Sequence, residues 1–261
     1  MVQSFGRWAI LVATAWLSGS AGHAQDMMSH VDLASPMFSS AEMTRAEVEA
    51  SLKAAHGGAD FSSKSLNGLD LSRLDFSGAN FHATRINGTK FVGARLDGAV
   101  LDQAWAMGAD FSGASLTKAS LFGSQMQEAK FDGADFSGAR VTADMSRASL
   151  RKARFAGADF SADMKNQSMG LMRGILKSAD LAAADFEGAN LTLTDLQFAK
   201  LAGANLKDAL LVEAEAGGAD FRGAILDHTN FSGADLTSAR IDARQEKSFA
   251  GAKNLERAFK E

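Results

Sequence analysis

The chain has 261 residues, with 25 glycines, 18 phenylalanines, one proline and neither cysteine nor tyrosine. Its 46% hydrophobic content and net charge of −4, from 27 basic and 31 acidic residues, exclude a disordered chain and any general attraction to nucleic acid or membrane. Without cysteine there are no disulfides, thiolate metal sites or cysteine nucleophiles. In Met1–Ala24 the only charge, Arg7, precedes an apolar run, Trp8–Leu17, and then the small-residue stretch Ser18–Ala24. That order predicts a secretory signal peptide over 1–24, cleaved after Ala24. The run is shorter than the ~20 residues of a membrane span, and no cysteine follows for lipid attachment. A periplasmic or secreted location is therefore expected, with no membrane span after cleavage. In the N-terminal segment 25–58, Ser39-Ser40-Ala41-Glu42 predicts a capping box. Its helix would run to about Ala55, with Met43, Val48 and Leu52 facing the next element.

From Phe61 an apolar residue recurs every five positions, as Phe61, Leu66, Leu71, Phe76, Phe81 and onward to Val141. The phase resumes four residues later as Met145, Leu150, Phe155 and Phe160. After Ser161–Gly170 it returns at Leu171 and runs to Ile241, for 36 units in all. Twelve of the 18 phenylalanines sit at this central position. Two residues earlier stands Ala, Gly, Ser or Thr in 32 of 36 units, the exceptions being Lys64, Leu69, Leu74 and Met169. Between them is Asp or Asn 16 times, and two residues after the centre is Gly 16 times. A period of five fits neither a helix nor a strand. It fits a coil that turns a corner every five residues, pointing one large and one small side chain inward and leaving the rest to water. Glycine and Asp/Asn suit the corners.

Stretches such as Gly108-Ala109-Asp110-Phe111-Ser112 resemble the pentapeptide repeat family over about Ala59–Asp242. The resemblance implies an all-β solenoid, a right-handed quadrilateral β-helix over 59–242 with one pentapeptide per side. Four units per coil give about nine coils. Both ends of such a rod need covering, so short helical caps are expected. The N-terminal one is the helix above. The C-terminal one is 243–261, where Phe249, Ala252, Leu255 and Phe259 have helix-like spacing. Some relatives dimerise through that end, which leaves a monomer or a C-terminal-mediated homodimer.

The irregular stretch Ser161–Gly170 is expected to bulge outward, either as a tolerated irregularity or as a recognition loop carrying Asp163, Met164, Lys165, Asn166 and Gln167. No chemistry-bearing motif stands out. The histidines His30, His56, His82 and His228 are scattered, and no phosphate loop, nucleophile elbow or carboxylate pair is present. The aspartates follow the repeat. Hence no enzyme activity, cofactor or metal is expected, and Met107, Met126, Met145 and Met164, spaced by nineteen, are read as core filler.

Charges twenty residues apart should stack, as in Asp70, Lys90, Asp110 and Lys130. Arg140, Arg147, Arg151, Lys152 and Arg154 against Asp144 form a basic band, and 179–235 is net −7. Val100, Trp105, Met107 and Phe122 are apolar where the pattern expects polar residues, and are expected to form a partner-binding patch. Leu193, Phe198, Leu210, Val212 and Ile225 form a second outward apolar set. The reading that follows is an exported, non-enzymatic rod that scaffolds protein–protein interactions with an unidentified protein partner and not with nucleic acid. The alternative is a DNA mimic that inhibits or protects an enzyme such as DNA gyrase. The leader predicts that protein recovered from its native host begins near Gln25 on N-terminal sequencing, and intact Met1 chains in the cytoplasm would overturn the localisation.

Overall fold

The computed structural model describes residues 39–55, 57–165 and 172–261. The leader 1–24, the stretch to residue 38, His56, Asn166, Gln167, the rest of 166–170 and Leu171 lie outside the described residues.

The backbone winds through parallel bridges, most of them twenty residues apart, and these fall into four columns. We number the sides by their column residues. Side 1 runs from Ser65 through Arg85, Trp105, Gln125 and Asp144 to Asp235. Side 2 runs from Asp70 through Lys90 and Asp110 to Arg240. Side 3 runs from Asp75 to Ile225, and side 4 from Asp60 through Val100, Ser120 and Arg140 to Asn230. Each side offers a single bridging residue before the chain turns, so the ladder is continuous across coils although no long strand forms within one.

The inward assignment follows the sequence. Phe61, Phe76, Phe91, Phe111, Phe131, Phe136 and the other described central residues are buried, as is nearly every alanine two positions before them. Phe91, Phe111 and Phe131 stack with ring centroids 4.9 and 5.0 Å apart and planes within 9°. Phe136, Phe155 and Phe186 stack at 4.9 and 4.8 Å. Those spacings match the ~4.8 Å between hydrogen-bonded strands, so side chain and backbone share one rise. Threonine is tolerated at the small inward position because its hydroxyl donates to a carbonyl of the preceding coil. Thr84 donates to the Phe61 carbonyl and Thr89 to that of Leu66, each at 2.8 Å.

Column aspartates do more than face water. Asp110 accepts the backbone N–H of Ser112 at 3.0 Å and its hydroxyl at 2.6 Å, which ties the corner. The next corner residue takes a left-handed conformation, as at Gln103 (φ 58) and Phe198 (φ 59). The Phe198 ring lies over Gly218, where a Cβ would stand 2.5 Å from it. Only glycine leaves that ring its place.

The N-terminal end departs from the predicted cap. Helix α1 spans Arg45–Ala55, and Thr44 and Glu47, not Ser39 and Glu42, form the capping box. Thr44 N–H donates to the Glu47 carboxylate at 2.7 Å, and Glu47 N–H donates to the Thr44 hydroxyl at 3.3 Å. Ala41 is instead bridged to Leu66, and Glu42 N–H donates to the Ser65 carbonyl at 2.7 Å. A chain laid along the first coil as an edge cannot also be a helical turn. Val48 is buried on the coil, with Met43 and Leu52 packed beside it. The large residues Leu69 and Leu74, exceptions to the small position, also pack there.

At the other end the structure has two 3-10 turns, Ala243–Phe249 and Leu255–Arg257, in place of a single helix. Strand β1 (Arg240–Ile241) pairs in parallel with β2 (Phe259–Lys260). Phe249 is buried against Phe221 and Phe231, its ring 5.7 and 4.6 Å from theirs. Phe259, whose spacing predicts a place on the cap helix with Phe249, lies instead in β2 on the side 2 ladder and is 58% exposed.

Both phase changes are visible, but the second is larger than the sequence suggests. Gln125 pairs with Asp144 nineteen residues on, one short of a coil. Asp159 and Ile175 are then successive column residues, sixteen apart where the usual step is five, so the sequence between them is eleven residues longer than one side. Leu176 follows Phe160 as the next described central residue.

Replacing Phe111 by alanine removes the middle ring of a stack and should cost ~3–5 kcal/mol in denaturant unfolding. Asp110→Ala loses only a partly exposed corner tie and should cost about 1 kcal/mol. Equal losses would overturn the inward and outward assignment.

Candidate functional site

The loop leaves the coil after Phe160 at the edge between sides 4 and 1. Its stem closes where Asp163 N–H donates to the Met172 carbonyl at 2.8 Å. Re-entry is at Gly174, whose N–H donates to the Phe160 carbonyl at 2.9 Å, and a Cβ there would lie 2.9 Å from the Phe160 side chain. Glycine is thus the residue that lets the chain rejoin the wall.

Two arginines fasten the loop. Arg140, on side 4, lies 3.8 Å from Asp159 and 4.0 Å from Asp163, with its guanidinium carbon 5.7 Å from the Phe122 ring centre. Arg173, mostly buried, donates to the Leu193 carbonyl at 3.0 Å and to Glu215 at 2.7 Å, and stands 4.0 Å from Asp195. Burial pushes the Asp195 carboxyl above its ordinary range, opposed by the Gln197 N–H and by Arg173. The hydrogen bond from Arg173 holds Glu215 below its ordinary range. One guanidinium therefore joins the loop stem to two successive carboxylates of the side 1 column.

Between the loop and the wall lies a cleft of about 540 Å³ lined by Asp102, Ser120, Phe122, Arg140, Ala162, Asp163, Met164 and Lys165. Phe122 and the described half of the loop, separate expectations in the sequence, meet here. Met164 is 61% exposed at the rim. The other predicted patch residues do not join them. Val100 sits lower on side 4, Trp105 on side 1, and Met107 at the corner between sides 1 and 2, where its N–H donates to Asn87 at 3.0 Å. All three are half-buried, so the four residues span adjoining faces and do not make one patch. The second outward set is likewise spread, with Leu210 on side 4 and Ile225 on side 3. Of the methionines spaced by nineteen, Met126 and Met145 are buried in the core.

Stacking also redistributes charge. The basic band is largely paired, Arg147 with Glu128 at 3.0 Å, Arg151 with Asp180 at 3.7 Å and Arg154 with Asp135 at 3.4 Å. Asp70, Lys90, Asp110 and Lys130 stack in register on side 2. Among the described residues no ion pair within 4 Å forms inside that column. Also among them, no three His, Asp or Glu residues are grouped to hold a metal ion, and no helix is long and apolar enough to cross a membrane.

Sequence reasoning missed Asp102, Ser120, Arg140 and Arg173 as parts of the site. The first three lie at or near multiples of twenty from Phe122 and the loop stem, a signal the period itself supplied. Arg173 had no such signal.

The pentapeptide repeats model matches residues 57–93, 108–138, 143–162, 175–211 and 217–242, more than half of the chain. The chain belongs to the pentapeptide repeat family. The family's fold is a right-handed quadrilateral β-helix, in accord with the four columns here. The segments between the first four matches contain Val100, Trp105, Met107 and the loop. Among solved structures, full-length QnrB1, a plasmid-mediated fluoroquinolone resistance protein, aligns at 21% identity and TM-score 0.57 over 74% of this chain and 92% of that one. HetL, a pentapeptide repeat protein involved in heterocyst differentiation regulation from the cyanobacterium Nostoc sp. strain PCC 7120, aligns at 26% identity and TM-score 0.29, over 74% and 97%. No curated protein matches significantly.

Arg173→Ala should cost ~2–3 kcal/mol, since it strips a charged hydrogen-bond donor from Glu215 and the Leu193 carbonyl and leaves the mostly buried Asp195 without its cation. Asp195 is the buried group, with a raised pKa, so its ionised form is the costly one. The deficit should therefore shrink as pH falls through the carboxylate range and be partly rescued by Asp195→Asn. A deficit independent of pH and of that second substitution would show that the arginine acts by packing alone.

Proposed function

We propose that this protein is a non-enzymatic rod, exported to the periplasm or secreted, that scaffolds a protein–protein interaction through the cleft between Phe122 and the loop residues Ala162–Lys165. The observation that carries the reading is the fastening of that loop. An eleven-residue insertion that merely had to be tolerated would need no buried arginine, no arginine over an aromatic ring and no re-entry glycine. Here all three hold it against the wall and keep Phe122 and Met164 together at a partly apolar cleft, the kind of surface that marks a partner site.

The charge arrangement supports a scaffold over a DNA mimic. A mimic presents uncompensated acidic columns and binds with strong salt dependence. Here Glu187 pairs with Lys207 at 2.7 Å, Asp220 with Arg222 at 2.6 Å and Glu215 with Arg173. QnrB1 is a fluoroquinolone resistance protein, and its likeness to this chain is one of fold.

The test is capture from the exported fraction, with wild type and the double variant Phe122→Ser, Met164→Asp as baits. The variant should lose partner capture at least about tenfold, as expected for an aromatic anchor, with its thermal midpoint within about 2 °C of wild type. Trp105→Ala, on side 1, should capture normally. Equal capture by wild type and the double variant would overturn the reading. So would inhibition of gyrase supercoiling by the purified chain at low micromolar concentration.

A further inference from the structure

The rod is closed unevenly at its C-terminal end. Side 1 continues from Asp235 to Lys253, and side 2 from Arg240 to Phe259. Sides 3 and 4 stop at Ile225 and Asn230, with no further rung among the described residues.

The backbone shows what this leaves behind. From Phe61 to Phe221, every described central residue donates its N–H to the following coil, as does Leu236, which donates to Lys253. Among the described residues Leu226 and Phe231 have no such acceptor. The left-handed corner residue between them, His228, also lacks one, although Gly223 and Gly233 on either side are paired. Three N–H groups thus point along the axis toward a rung that the described residues do not supply, and among those residues the Thr229 carbonyl between them is likewise unpaired. Gln245 reaches across to satisfy only the Ala224 carbonyl, at 3.0 Å.

Above these groups lies a cleft of about 700 Å³, bounded by Lys207, Asp227, His228, Lys247, Ser248 and Ala250. It reaches the core, for Leu226 is 5% exposed where the other buried central residues are at most 1%. Ile225, the side 3 column residue just before Leu226, is 48% exposed.

We propose that sides 3 and 4 of this last coil take up an extended peptide segment of a partner protein as an added rung. The spacing of the donors specifies the segment. Within the ladder, such donors are met by carbonyls at the first, third and sixth residues of the next coil, as Phe91, Gly93 and Leu96 are met by Asp110, Ser112 and Ser115. The sixth residue's N–H would donate to the Thr229 carbonyl. Groups so spaced around a corner do not converge on one small anion; they track a chain. Phe249 already fills the core beside Phe231, so the segment's inward residue must be small. Lys247 lines the cleft with no carboxylate within 4 Å among the described residues, and so favours a segment bearing an acidic side chain. This surface is separate from the loop cleft and does not depend on it.

The test is amide exchange and chemical shift by NMR on the full chain, with acetyl-Asp-Ala-Ser-Gly-Ala-Asp-amide as the probe. In the free protein the amides of Leu226, His228 and Phe231 should exchange at least about a thousandfold faster than those of Leu211 and Phe221, because only the latter are held in the ladder. The peptide should shift those three amides and slow their exchange at least about tenfold. Proline at its sixth residue, or Lys247→Glu in the protein, should weaken binding at least about fivefold. Protection of the three amides in the free chain would overturn the proposal, as would no response at about 5 mM peptide, weaker than any useful contact. The same holds if inorganic phosphate alone gives the same shifts and displaces the peptide, or if neither change weakens binding.

Discussion

Everything in this molecule rests on one distance, the rise between coils. The backbone ladder sets it near the interstrand spacing, and the phenylalanine stacks repeat it at 4.8–5.0 Å. The hydrogen bonds and the core therefore reinforce each other at every level. Each coil supplies the acceptors that the one before it needs, so a coil with no successor is incomplete on any side that the cap does not reach. The same rule explains why inward residues come in a large and small pair. With the wall spacing fixed, the interior has a set volume, and alternating sizes fill it to the density of a protein core.

Within that frame the loop is the place where the chain spends residues on something other than the wall. Eleven residues leave at one edge and come back through a glycine, and the wall closes behind them with Ile175 stacked on Asp144. The carboxylates that Arg140 and Arg173 use belong to the columns or lie beside them, so the fastening draws on the regular part of the fold. The side chains at the cleft come from three successive coils and the loop itself, which is how a repeat with no catalytic motif acquires a local shape of its own.

Much of this was legible in the sequence. The period of five announced the coil, the phenylalanines announced the core, and Phe91, Phe111 and Phe131 could be placed above one another by counting. What could not be read has identifiable causes. Ser39–Glu42 and Thr44–Glu47 both fit a capping box, and only the pull of the first coil on Ala41 and Glu42 decides between them. The phase at Leu171 matched the repeat because Leu171 stands five before Leu176, so periodicity alone could not show that Asp159 and Ile175 are successive column residues. The basic band looked like a patch because it is contiguous in sequence. In space the neighbours that matter are about twenty residues away, and they are carboxylates. Val100, Trp105, Met107 and Phe122 looked like one surface for the same reason, although Val100 lies on side 4, Trp105 on side 1 and Met107 at the corner beyond it.

The ladder also has a direction. On each side two N–H groups point toward the following coil, as from Phe61 to Asn80 and from Ser63 to His82, and only one points back, from Asn80 to Ala59. The peptide dipoles therefore do not cancel along the axis. Like an α-helix, the rod carries a net macrodipole, but with the opposite sense, its positive pole at the C-terminal end. The stretch 179–235, with its net charge of −7, winds around that pole. Its carboxylates stand to the solenoid as acidic residues stand to the first turn of a helix, and the polarity of the backbone gives the uneven charge of the sequence a physical place.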